Sequence, residues 1–175
     1  MHQKQADVNP YLAAEALLQR LGIQTILTPV EKVAKALGAV VCLSPFDDEL
    51  SGMIFIKDGV PIIGVNSLHH PNRQRFTIAH EIGHLELHRE MITSAVHVDK
   101  SFPALMRNQK STTGTEKIEI QANQFASALL MPKKQLCQIL DSKQFDIEDE
   151  KPLEELAKKF RVSKQALEYR IRHFS

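Results

Sequence analysis

The chain has 175 residues, 43% of them apolar and 25% charged, and a formal net charge of +1. That suits one compact globular domain with at most a small appendage. The near-zero charge supplies no global field toward nucleic acid or an anionic membrane, and no apolar run reaches the roughly 18 residues of a transmembrane helix.

The first helix is announced by Asn9 as a cap and Pro10 in the first turn, followed by Leu12, Ala13, Ala16, Leu17 and Leu21 at helical spacing until Gly22. Thr28, Pro29 and Glu31 resemble a capping box with proline at the first helical position, opening a second helix that Gly38 closes. The period then changes. Ala39 to Leu43 reads as a short strand, and Gly52 to Ile56 and Val60 to Val65 as two more, joined by the hairpin turn Lys57-Asp58-Gly59. Pro61 places the second hairpin strand at a sheet edge or at a bulge.

Pro71-Asn72 begins a helix with two apolar stripes. Phe76, Ala79, Gly83 and Leu87 form one, and Ile78, Ile82 and Leu85 the other, so this helix is central. Residues 90–115 lack a sustained period and read as a loop-rich excursion over the site. A strong helix runs from about Thr115 to Met131 and stops at Pro132; a shorter one covers Lys133 to Leu140. The expected organisation is residues 1–140 as the main domain, an acidic linker over 141–150, and a C-terminal helical pair over 151–175. The expected class is α+β, with a three-stranded, antiparallel-type sheet.

The central helix carries His80-Glu81-Ile82-Gly83-His84, the HExxH pattern of zinc hydrolases. Residues four apart on a helix lie about 40° apart on one face and roughly 6 Å apart along the axis, so two imidazoles can converge on one ion. Glu81 projects about 100° away, where its carboxylate can act on water as a base. Zinc needs at least one further protein ligand. The extended HExxHxxGxxH pattern fails, because Glu86 and Glu90 occupy its glycine and histidine positions.

Glu119 supplies that ligand most economically. Ile118, Ala122, Phe125 and Leu129 make the buried stripe of its helix, and Glu119 and Asn123 lie on the neighbouring face. Small side chains at Ala122 and Ala126 allow a close approach to the HExxH helix, and Asn123 can hydrogen-bond a ligand histidine. Glu116 is the rival ligand, but near a helix start it has a simpler job, as capping partner of Thr113 or as a charge favouring the dipole. His88, one turn after His84, is a candidate for contact with substrate or with a ligand histidine. His88 and Tyr169 are also candidate donors to an oxyanion.

These motifs, with Leu129-Leu130-Met131-Pro132 and the later Leu156, Phe160, Val162, Ser163 and Ala166, resemble the ImmA/IrrE family of metallo-endopeptidases from about Ala14 to Phe174. The resemblance implies a small zincin domain in which His80, His84 and Glu119 bind Zn2+ and Glu81 is the catalytic base. It also implies a helix-turn-helix transcriptional repressor as protein substrate. The expected activity is therefore zinc-dependent endopeptidase. The alternative is an anti-repressor that grips its partner through the same cleft and cleaves slowly or not at all.

An extended substrate can add as a strand to an open edge of the 52–65 hairpin. The C-terminal pair turns at Arg161-Val162-Ser163 like a helix-turn-helix, and residues 151–175 hold seven Lys/Arg against three Glu. Packing against the core or against the partner is the favoured role of this pair, with DNA binding as the lesser one. Residues 1–10 are polar and lack an apolar signal region, which points to a cytoplasmic protein. Cys42 and Cys137, without CxxC spacing, read as buried thiols of a reducing compartment, with a disulfide between them left open.

Overall fold

The structure, a computed structural model, describes residues 8–47, 49–92, 97–99, 114–141 and 150–173. The chain begins with α1 (Pro10–Arg20), α2 (Val30–Ala36), β1 (Val40–Ser44), β2 (Gly52–Lys57) and β3 (Val60–Asn66). It continues through α3 (Pro71–Leu87), α4 (Arg89–Ile92), β4 (His97–Asp99), α5 (Gly114–Leu130), α6 (Lys133–Asp141), α7 (Glu150–Phe160) and α8 (Lys164–Arg172). This is the α+β class expected from the sequence, with the HExxH helix at its centre.

Among the described residues the sheet has four strands in the order β1-β3-β2-β4, and it is mixed rather than antiparallel throughout. The β2–β3 hairpin is antiparallel, turning at Asp58 and Gly59, both at positive φ. β1 runs parallel to β3, from Val40 opposite Ile62 to Ser44 opposite Asn66. β4 pairs antiparallel with β2, placing a strand inside the stretch expected to be loop. Two expectations change in consequence. β3 is an inner strand, and Pro61 sits one residue before the register that β1 pairs, where a missing N–H removes no β1–β3 bond. β4 occupies the outer edge of β2 over Gly52–Ile54, so that part of the hairpin edge is closed to an added strand.

Asn9 caps α1 through its Oδ1, which accepts from the N–H groups of Tyr11 and Leu12. The expected Thr28 cap of α2 is not made. Pro29 takes the cap position, and the buried Thr28 hydroxyl donates to the Leu129 carbonyl instead (2.7 Å), satisfying a carbonyl near the end of α5. His70 caps α3, its Nδ1 accepting from Asn72 N–H, with Pro71 in the first turn.

The core lies between the sheet and the helices. Ile54, Ile63 and Val65 from the sheet meet Phe76, Ala79, Ile82 and Leu85 of α3, with Phe125, Ala126 and Leu129 of α5 and Leu17 of α1. A fully buried side chain of the Val, Leu, Ile or Phe class contributes about 1.5–3 kcal/mol. α3 is buried continuously from Arg75 to Leu85, as its two apolar stripes require.

Leu153, Leu156, Ala157, Phe160, Val162, Ala166 and Leu167 of the last two helices belong to the same apolar cluster. Ser163 caps α8, its hydroxyl accepting from Ala166 N–H (3.1 Å). Most of the acidic segment read as a linker, residues 142–149, lies outside the described residues, as does Thr113. Both cysteines are free, and neither is the fully buried thiol expected: Cys42 is exposed on β1, which is an edge strand among the described residues, and Cys137 is half-buried. Among the described residues no helix is long and apolar enough to cross a membrane.

Candidate metal centre

α3 and α5 create the site by approaching closely at residues without bulk. A Cβ added to Gly83 would stand 3.2 Å from both the Cα and the carbonyl oxygen of Ala122. This contact brings Glu119, one turn before Asn123, over the His80–His84 face of α3.

The three donors converge. His80 Nε2 and His84 Nε2 are 3.0 Å apart, His80 Nε2 lies 3.2 Å from Glu119 Oε2, and His84 Nε2 lies 3.4 Å from Glu119 Oε1. A tetrahedral zinc ion with bonds of about 2.0–2.1 Å separates its donor atoms by about 3.3 Å, so the triangle has the right size. His80, His84 and Glu119 are the group of potential ligand atoms that gathers here; Glu81 and Glu116 stand outside it.

Hydrogen bonding settles which nitrogen each ring presents. Asn123 Oδ1 lies 2.9 Å from His80 Nδ1 and can only accept, so the proton sits on Nδ1 and the Nε2 lone pair faces the centre. His84 Nδ1 is engaged by His88 Nδ1 at 3.2 Å, leaving its Nε2 aimed at the same point. Two lone pairs and a carboxylate directed at one position form an arrangement that a cation stabilises. Burial pushes the Glu119 carboxyl up, but His80 and His84 in their protonated form, donating from Nε2, outweigh it and hold the group well below the usual carboxylate range; a cation replaces those protons when the rings present their lone pairs.

Glu81 is not one of the converging donors. It is 1% exposed, and its Oε1 lies beside the first residue of β2, where a Cβ on Gly52 would come within 3.2 Å of it. The same Cβ would collide with Thr77 Cγ2, one turn before Glu81 on α3. The carboxylate therefore lies against the start of β2.

His88 is buried and joins the site through His84, whereas the Tyr169 ring stacks on His173, the residue that caps the C-terminus of α8, centroids 4.2 Å apart. Two features went unread in the sequence. Gln121, whose Oε1 lies 3.0 Å from His88 Nε2, borders the stripe that identifies α5, and a lone glutamine there carries no signal of its own. Gly52, by its position, marks only the start of a strand; its closeness to Glu81 is a long-range contact that spacing does not carry.

The IrrE N-terminal-like domain model, a peptidase family, matches residues 34–172, a span that includes α3, α5 and both C-terminal helices. The chain belongs to that family. No curated protein matches it. Among solved structures, a Mycobacterium tuberculosis transcriptional regulator shares the fold, with a TM-score of 0.63 at 20% sequence identity. The match covers 93% of this chain and 46% of the regulator, so this member of the peptidase family spans less than half of that protein's length.

Proposed function

We propose that the protein is a zinc-dependent endopeptidase acting on a regulatory protein, with a helix-turn-helix transcriptional repressor as the substrate class. The observation that carries this reading is the convergence of His80 Nε2, His84 Nε2 and Glu119 beside a buried Glu81. His80, His84 and Glu119 hold the ion. When bound, zinc supplies Lewis acidity, making water acidic near neutral pH and polarising a carbonyl oxygen.

Glu81 does the proton work. Its carboxylate takes the proton from water as the oxygen attacks the scissile carbonyl, then delivers it to the departing amine. Burial beside Gly52 fixes where that proton is held. Asn123 keeps the His80 proton on Nδ1, so that His80 always presents a lone pair.

Residues 1–140 form the catalytic unit, and the helical pair after the acidic linker braces it. Arg170, one of the basic residues of that pair, is turned inward, with Nε donating to the Met131 carbonyl (3.3 Å) and Nη2 lying 3.8 Å from Glu15. That inward role favours packing over DNA contact. The free thiols of Cys42 and Cys137 suit a reducing cytoplasm.

The test pairs metal content with cleavage. Wild-type protein should carry about one zinc per chain, and Glu119→Ala should lose it. Glu81→Gln should keep zinc yet abolish the new N-termini that the wild type generates in a proteome rich in helix-turn-helix repressors. Cleavage that survives Glu81→Gln sinks the mechanism. A zinc-loaded wild type that binds a repressor without cutting it establishes the anti-repressor alternative.

A further inference from the structure

The two candidate ligand histidines are oriented by different means. His80 meets an amide directly, whereas His84 meets another histidine, and that histidine meets Gln121. His88 lies just past the end of α3, with its N–H on the His84 carbonyl (2.8 Å) and a φ of −130°. Leaving helical geometry at this residue lets its ring fold back along the helix. The His84 and His88 rings are tilted by 52° with centroids 5.3 Å apart, so they meet by nitrogen rather than by stacking.

We infer that Gln121 and His88 form a positioning relay that fixes the tautomer of His84 and so presents its Nε2 to the metal. The protons are ordered inward from the amide. Gln121 Oε1 can only accept, so the neutral His88 ring carries its proton on Nε2 and leaves Nδ1 as an acceptor. His84 must then donate from Nδ1, and its Nε2 keeps the lone pair. The reverse order, with the Gln121 NH2 donating, would move the proton to His84 Nε2 and close that position to a cation. One orientation of an amide on α5 therefore decides whether a histidine on α3 can be a ligand.

Among the described residues, α5 contributes to the centre in three ways. Glu119 gives the third donor atom, Asn123 orients His80 directly, and Gln121 orients His84 through His88. Partners of this kind typically alter metal affinity 10–100-fold when removed. The inference rests on the metal-centre reading proposed above and goes beyond it by giving Gln121 and His88 a defined role.

The experiment is a competition titration with zinc and a chromogenic chelator on the full chain, alongside thermal unfolding of each metal-free variant. His88→Leu removes the acceptor and should weaken zinc binding about 10–100-fold. His88→Asn places an amide oxygen near the position of the lost Nδ1 and should recover most of that affinity. Gln121→Leu, at a half-buried position, should weaken binding as well, and Gln121→Glu, which can only accept, should not. In zinc-loaded wild type, 15N imidazole spectra should show His88 as the Nε2–H tautomer.

Equal losses in His88→Leu and His88→Asn would reduce His88 to a packing residue and overturn the relay. So would wild-type affinity in His88→Leu, or an Nδ1–H tautomer at His88. A wild type that binds no zinc removes the metal-centre reading itself. Normal wild-type binding with unaffected variants removes only the relay.

Discussion

Gly83 of α3 lies against the backbone of Ala122 of α5, so close that a Cβ at residue 83 would stand 3.2 Å from both the Cα and the carbonyl oxygen of Ala122. The atoms in the way are backbone, which cannot swing aside as a side-chain tip can. Gly83→Ala should therefore push α5 outward and widen the separation between Glu119 and the two Nε2 atoms. We expect a stability loss of about 1–3 kcal/mol, typical of overpacking, together with weaker zinc binding. Urea unfolding and a zinc competition titration check the two effects separately. Unchanged values in both would mean that the helices are free to slide and that this contact does not set the site.

Asn123 lies one turn beyond Glu119 and accepts from His80 Nδ1 at 2.9 Å. Removing the acceptor in Asn123→Leu should cost about 10–100-fold in zinc affinity, because His80 then loses the constraint on its ring and its tautomer. Asn123→Asp keeps an acceptor at the same place and should retain binding. If both variants behave alike, the hydrogen bond is not what orients His80.

Short-range periodicity made the essential parts of this site legible. His80, Glu81 and His84 follow from spacing within one helix, and Glu119 with Asn123 from spacing within another. Small residues at Ala122 and Ala126 announced that the two helices could touch. What stayed hidden depends on contacts between distant segments. The hairpin β2–β3 declares itself through its turn, but nothing in Val40–Ser44 says that it joins the far side of β3 in parallel. β4 is only three residues long and pairs with residues more than 40 positions earlier, so it has no periodic signature. Thr28 had the composition of a cap, yet a carbonyl 101 positions away claimed its hydroxyl. Gln121 matters only because His88 falls beyond the end of its helix.

Tyr11 of α1 offers a pH test remote from the candidate centre. Burial pushes its hydroxyl well above the usual tyrosine value, and the neighbouring Tyr169 adds to this against the pull of Arg170, whose guanidinium lies 5.1 Å from the Tyr11 ring centroid. A raised folded-state value means that the native state binds this proton more tightly than the unfolded chain does. The resulting stability is complete below the unfolded value of about 10 and is lost as pH rises through and beyond it. Wild-type denaturation midpoints should fall between about pH 9 and pH 11, and Tyr11→Phe should fall less steeply. Parallel slopes would show that Tyr11 ionises as easily folded as unfolded.

Gly52 ties the sheet to Glu81. It begins β2, pairs with Val65 on one side and Asp99 on the other, and leaves no room for a side chain above Thr77 and the Glu81 carboxylate. Because both neighbours sit one turn apart on α3, crowding here displaces Glu81 without touching the donor triangle. Gly52→Ala should therefore retain zinc binding while losing most of the proposed peptidase activity, whereas Glu119→Ala should lose the metal itself. It should also lose about 1–3 kcal/mol of stability. Thr77→Ser deletes the methyl group that the new Cβ would strike. The double variant should regain part of the lost stability, giving a coupling energy of about 0.5–3 kcal/mol in a double-mutant cycle. Additive losses would mean that the collision is relieved elsewhere, with the Gly64 carbonyl as the remaining obstacle. Loss of zinc in Gly52→Ala would show that β2 and the donor triangle move as one body, and the separation between proton handling and metal holding would fail.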